Sequence, residues 1–138
     1  PKGDRTSFKE VANGVPGLEL RLPLLFSEGV LGGRISLNDF VALASTNAAR
    51  LYGLHPRKGT IAVGSDADIV VFDPAVKHTI SVDSHHMNVD YSAYEGWEVQ
   101  GKTRSTILRG TVAIDEGEAQ VGAGFGKYLS RPPFNPYF

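Results

Sequence analysis

Lys58-Gly-Thr-Ile-Ala-Val-Gly-Ser-Asp-Ala-Asp-Ile-Val-Val-Phe-Asp-Pro74 is the stretch on which the fold turns. Before it, apolar residues recur at helical spacing; from Lys58 onward the pattern changes to short runs rich in β-branched and aromatic residues, bounded by Gly, Asp and Pro. The runs predict strands at 60–63, 69–72, 78–82, 105–108 and 111–114. Ile69-Val-Val-Phe72 is continuously apolar, which suits a strand covered on both faces. Arg109-Gly110, between the last two runs, reads as a hairpin turn.

On the N-terminal side, residues 1–17 are polar and punctuated by Gly and Pro, which predicts loop. From Leu18 the apolar positions Leu22, Leu25 and Phe26 fall at helical spacing, with Pro23 near enough to the start to be tolerated and Gly29, Gly32 and Gly33 marking the stop. Ser36-Leu-Asn-Asp39 has the form of a capping box, in which the hydroxyl accepts an orphan amide and the carboxylate reaches back to the cap. Leu37, Phe40, Val41 and Ala44 then make an apolar face, Ser45-Thr-Asn47 predicts a second cap, and Gly53 closes the turn. Residues 84–102 are aromatic-rich without periodicity, and 122–138 form a Gly/Pro-rich tail with Phe125, Tyr128, Phe134, Tyr137 and Phe138. Five aromatics are costly to leave in water, so the tail is expected to dock on another surface.

The 138 residues suffice for one domain but not for the roughly 250 of a complete (β/α)8 barrel. The chain opens at Pro1 and its one Met is Met87, which leads us to expect that an N-terminal part has been removed. Fourteen Lys+Arg balance fifteen Asp+Glu, with no long like-charge block, so neither nucleic acid nor a membrane surface is an expected partner. The absence of cysteine removes disulfides, thiolate metal sites and cysteine nucleophiles, and fits a cytoplasmic protein. No apolar run approaches a membrane span.

Several side chains invite a chemical role and have a plainer reading. Adjacent His85 and His86 would point to opposite faces of a strand and have only Asp83 or Asp90 near in sequence, which favours a loop or interface pair over a metal site. Asp66 and Asp68 lack the spaced acids of a calcium loop and read as turn caps entering the 69–72 strand. Glu19 and Arg21 read as solvated or helix-anchoring groups, and His55 and His78 as structural. Tyr91, Tyr94 and Trp97 read as core or subunit contacts, since no basic groove accompanies them. Asn13, before Gly14, is by itself a turn residue.

Three segments together resemble the cyclic amidohydrolases, specifically the D-hydantoinases and dihydropyrimidinases: Asn13-Gly-Val-Pro-Gly17 with the residues through Gly29; Ser45-Thr-Asn-Ala-Ala-Arg-Leu-Tyr-Gly-Leu54 followed by Lys58 to Asp68; and, most specifically, His85-His-Met-Asn-Val-Asp-Tyr-Ser-Ala-Tyr-Glu-Gly-Trp97. The resemblance spans essentially the whole chain. It implies an α/β fold in which residues 1–55 are the C-terminal helices and substrate loop of a (β/α)8 metallo-hydrolase barrel, residues 56–121 are strands of a small β-sandwich with the aromatic insertion, and 122–138 are a tail at a subunit contact. It further implies a metal-dependent parent that hydrolyses the ring amide of hydantoins or dihydropyrimidines with two divalent ions, zinc, bridged by a carbamylated lysine. The ligand set of the family lies upstream, so the chain is expected to carry no metal ligand and no catalytic residue of its own and to be inactive alone. The resemblance transfers one substrate contact, Asn13, whose carboxamide offers the donor and acceptor that match an N–H beside a C=O. Its implied partners are the rest of the catalytic domain, the cyclic amide and other subunits of a homotetramer. A non-catalytic scaffold of the collapsin response mediator type, or an interaction module of the same fold, is the alternative.

Overall fold

The computed structural model describes residue 7 and residues 14–131. The chain turns into α1 (Arg21–Leu24), which widens without a break into π-helical turns over Leu25–Leu31. The helix has no side-chain N-cap; the Leu20 amide is satisfied by the Gly17 carbonyl at 3.1 Å. Gly29, expected at the stop, lies buried inside the helical segment, and the chain turns beyond Gly32, with Gly33 at φ 68°.

The predicted capping box is present at the start of α2 (Leu37–Val41). The Asp39 amide donates to Ser36 Oγ at 3.1 Å, and the Ser36 amide donates to Asp39 Oδ2 at 3.0 Å. The second cap is not. Helical turns continue through Ala42–Thr46 into α3 (Asn47–Leu51), and the Thr46 hydroxyl donates to the Gly59 carbonyl at 2.8 Å instead of capping its own helix. A tertiary acceptor has taken a donor that local reading assigned to a cap.

The sheet has four antiparallel strands in the order β1 (Ile69–Thr79), β2 (Glu98–Leu108), β3 (Thr111–Asp115) and β4 (Glu118–Ala119). The strand expected at 69–72 and the first two residues of that expected at 78–82 lie in one strand, which ends at Thr79 and is interrupted by register shifts between Val71 and Phe72 and between Asp73 and Lys77. Pro74 cannot donate to a ladder and sits in the second irregularity, where Asp73 Oδ1 accepts from the Ala75 amide at 2.9 Å. Arg109 and Gly110, at φ 51° and 78°, make the expected hairpin between Leu108 and Thr111. Glu116-Gly117 repeats the device between Asp115 and Glu118.

Residues 60–63 form no strand. Ile61 and Val63 project from the surface, so the run's strand-like composition has no ladder to join among the described residues. The flanking loop is held by charge. Lys58 Nζ pairs with Asp66 at 2.9 Å and with Asp68, while Arg57 Nε donates to Asp66 at 2.9 Å and the Arg109 amide donates to Asp68 Oδ1 at 2.8 Å. Asp68 therefore tethers the loop to the β2–β3 hairpin, while Asp66 closes it on Arg57 and Lys58.

Two small clusters form the core. Leu20, Ile80 and Val99 are buried together, with Leu24 and Tyr94 packed on them. Phe26, Phe40 and Phe72 join the helices to the sheet, with ring centroids 5.2 to 5.7 Å apart. Among the described residues no helix is long and apolar enough to cross a membrane.

Candidate functional site

Of the residues singled out for chemistry, Asp66 and Asp68 lie apart on Arg57, Lys58 and Arg109, whereas Glu19, His86, Tyr91, Tyr94 and Trp97 come together where the loop leading into α1 meets the segment between β1 and β2. That segment, residues 81–96, is closed at its base. The Ile80 amide donates to the Trp97 carbonyl at 2.8 Å and the Gly96 amide to the Ile80 carbonyl at 2.9 Å. Inside, Glu95 Oε2 accepts from the Val82 amide at 2.9 Å, and the Ser81 side chain accepts from the Asp83 amide at the start of a 3-10 turn, Val82–Ser84. These bonds make it a compact Ω-type loop rather than an open excursion.

Its outer residues grip the loop before α1 at three points. The Tyr91 hydroxyl donates to the Gly14 carbonyl at 3.0 Å. The Tyr94 ring lies beside Gly17, where a β-carbon would stand 3.7 Å from the ring edge, and makes an edge contact with Trp97 at 5.5 Å. Glu19 accepts two hydrogen bonds from His86, from the amide at 2.6 Å and from Nδ1 at 2.7 Å. His86 is thus a loop histidine with a carboxylate partner, and the Glu19 read as a solvated or helix-anchoring group is a latch. Both ring nitrogens of His85 are shielded from water and meet no hydrogen-bond partner among the described residues. Asn13 lies outside the described residues; its neighbour Gly14 is at φ 111°, open to glycine and strained for other residues.

The latch is pH-sensitive in both partners. Burial pushes the Glu19 carboxyl up, but the hydrogen bonds from His86 outweigh it, aided by the His86 and His85 charges, and the group ends below its ordinary value. The hydrogen bond to Glu19 holds His86 above its ordinary value, with the charges of Glu19 and Glu118 adding and slight desolvation opposing. A lowered carboxyl contributes stability above the unfolded Glu value, about 4.3, that is lost as pH falls through the folded one. A raised imidazole contributes stability below about 6.5 that is lost as pH rises through the folded one. The latch is therefore strongest between about pH 4.3 and 6.5 and persists somewhat beyond both ends. In an NMR titration His86 should titrate above the ordinary imidazole value and return toward it in Glu19→Gln; an unchanged titration would dismiss the latch.

Among the described residues no three His, Cys, Asp or Glu side chains come together to hold a metal ion. With His86 engaged by Glu19, this donor set does not fit a divalent-metal centre. In the tail, the Arg109 guanidinium stacks on the Phe125 ring at 4.6 Å and donates to its carbonyl at 2.6 Å. Tyr128 is 92% exposed, and Phe134, Tyr137 and Phe138 lie outside the described residues.

Local reading missed the Glu19–His86 and Tyr91–Gly14 contacts because their partners are 67 and 77 residues apart. The only sequence signal for them was the resemblance carried by residues 85–97, and the comparisons bear it out. The chain is 47% identical over 130 residues to a D-hydantoinase of Geobacillus stearothermophilus, covering 94% of this chain and 28% of the relative. It is 45% identical to a dihydropyrimidinase of Rattus norvegicus, covering 94% of this chain and 25% of that one. The solved D-hydantoinase of Bacillus sp. AR9 superimposes with a TM-score of 0.90 at 54% identity, over 95% of this chain and 28% of the other. The chain thus spans little more than a quarter of the length of the relatives it matches. The Amidohydrolase family profile matches residues 11–113, three quarters of the chain, and by that match the chain belongs to the amidohydrolase family.

Proposed function

We propose that the chain serves as the C-terminal portion of a hydantoinase- or dihydropyrimidinase-type enzyme, which opens a cyclic amide by hydrolysing its ring C–N bond. The observation that carries this reading is the 47% identity to a D-hydantoinase along nearly the whole of a chain that spans only 28% of that relative. The surface supports it: Leu37, Val41, Leu43 and Leu51 on the helices, and Ile61 and Val63 after them, are left exposed, which fits elements whose covering surface belongs to a larger body. In this reading residues 1–55 complete a (β/α)8 barrel, 56–121 supply sandwich strands and 122–138 meet a neighbouring subunit of a homo-oligomer.

The hydrolytic chemistry of the parent would be supplied by metal ions held by residues outside those described. The part of this chain is binding and orientation. Asn13 presents a carboxamide to the ring, donating from its NH2 to a carbonyl and accepting an N–H at its oxygen, which fixes the amide to be cleaved in one attitude. The Asn13→Ala protein should lose about tenfold in kcat/KM for hydantoin or dihydropyrimidine ring opening, since the substrate's polar edge is left unpaired in the site. Unchanged kinetics in that variant would remove Asn13 from the substrate site; absence of any ring opening by the unmodified full-length protein would remove the enzyme reading.

A further inference from the structure

We propose that Tyr91 is a positioning residue for substrate binding: through its hydroxyl on the Gly14 carbonyl, the 81–96 loop acts as a strap that sets where Asn13 meets the ring. The inference rests on the reading of Asn13 given above and goes beyond it, because it assigns Tyr91 a role through the Gly14 carbonyl rather than a contact with the ring.

Gly14 follows Asn13 directly, so a hydrogen bond on the Gly14 carbonyl constrains the peptide plane next to the Asn13–Gly14 peptide. Glycine at this point, with φ 111°, gives the backbone unusual freedom, and its missing side chain leaves nothing of its own to hold it. No other hydrogen bond to that carbonyl is seen among the described residues; the Tyr91 hydroxyl at 3.0 Å is the contact that fixes it. Further along, the same loop holds Gly17 against the Tyr94 ring and Glu19 against His86. Three contacts along six residues make the approach to Asn13 rigid from one side.

The strap is rigid enough to impose a position. Its base is closed by the paired bonds between Ile80 and residues 96–97, its interior by Glu95 on the Val82 amide, and Tyr94 anchors it to the buried Leu20, Ile80 and Val99. A flexible loop could not lower the conformational cost of binding; a braced one can, because the glycine loop is then ordered before substrate arrives.

The test is Tyr91→Phe in the full-length protein, which keeps the half-buried ring and deletes only the donor. Hydrogen exchange at residues 14–17 should rise several-fold, while exchange elsewhere and the thermal midpoint stay unchanged. KM for the cyclic amide should rise by about two- to tenfold, with kcat changed less, as expected for loss of one hydrogen bond used in ordering. In an Asn13→Ala background the Tyr91→Phe effect on KM should vanish, because the strap would then position nothing. Unchanged exchange at 14–17, or additive effects of the two substitutions, would overturn the inference. If Asn13→Ala alone leaves KM unaltered, the substrate role of Asn13 fails and the inference falls with it; if Asn13→Ala acts and Tyr91→Phe does not, the inference alone fails.

Discussion

Replacing Gly101 by alanine is expected to destabilise the protein by about 3 kcal/mol or more, which combines backbone strain with overpacking. Gly101 is a buried position in β2 with φ 104°, a region that L side chains rarely occupy. A β-carbon there would stand 2.5 Å from Phe72 Cζ, 2.7 Å from Phe26 Cδ1 and 2.8 Å from Phe72 Cε1. Neither ring can withdraw freely, because each is packed on the other and on Phe40. Chemical denaturation of Gly101→Ala measures the loss. Shrinking the obstruction separates its two causes: adding Phe72→Leu should recover part of the steric component and none of the backbone strain. A Gly101→Ala protein as stable as the parent would mean that the aromatic contact is not packed as described.

Phe26→Ala is the second large effect, expected at about 3–5 kcal/mol as for other buried phenylalanines. Phe26 is 5% exposed and is the ring through which the π-helical segment Leu25–Leu31 reaches both Phe40 of α2 and Phe72 of β1. Its loss would open a void between these three elements and leave the helix held to the sheet by weaker contacts, such as the Gln100 amide of β2 donating to Ser27 Oγ at 3.2 Å. Because the alanine would also remove one of the atoms that a β-carbon at position 101 meets, Phe26→Ala and Gly101→Ala together should cost less than their sum. Strict additivity, read from denaturation midpoints of the two single variants and the double, would show that the two positions are not in contact.

Both predictions concern contacts that local pattern could not reveal, and the reason is visible in β2. Residues 98–102 belong to the 84–102 stretch that shows no periodicity in the sequence, yet they lie in β2. The ladder forms nevertheless, since β1 supplies a partner at each of Glu98, Val99 and Gln100 and the aromatic cluster requires a residue without a side chain at 101. Conversely, residues 60–63 have strand-like composition and no partner among the described residues. Alternation and β-branching state what a segment can pair with, not whether a strand will lie beside it.

The features legible from the residues alone are those whose partners lie within a few positions. These are the Ser36–Asp39 capping box, the Arg109-Gly110 hairpin, the change from helical to β character after Lys58, and the membership of the family through motifs read directly from the chain. Where the long-range partners lie was fixed only once the chain folded. Folding joined 69–72 to 77–79 across a bulge at Pro74, took the Thr46 hydroxyl from its expected cap to the Gly59 carbonyl, and placed His86 on Glu19 and Tyr91 on Gly14. A cap or a two-residue turn is decided by short-range geometry that a few side chains specify, whereas a contact between residues tens of positions apart exists only once the sheet has closed the 81–96 loop and carried it to the start of α1.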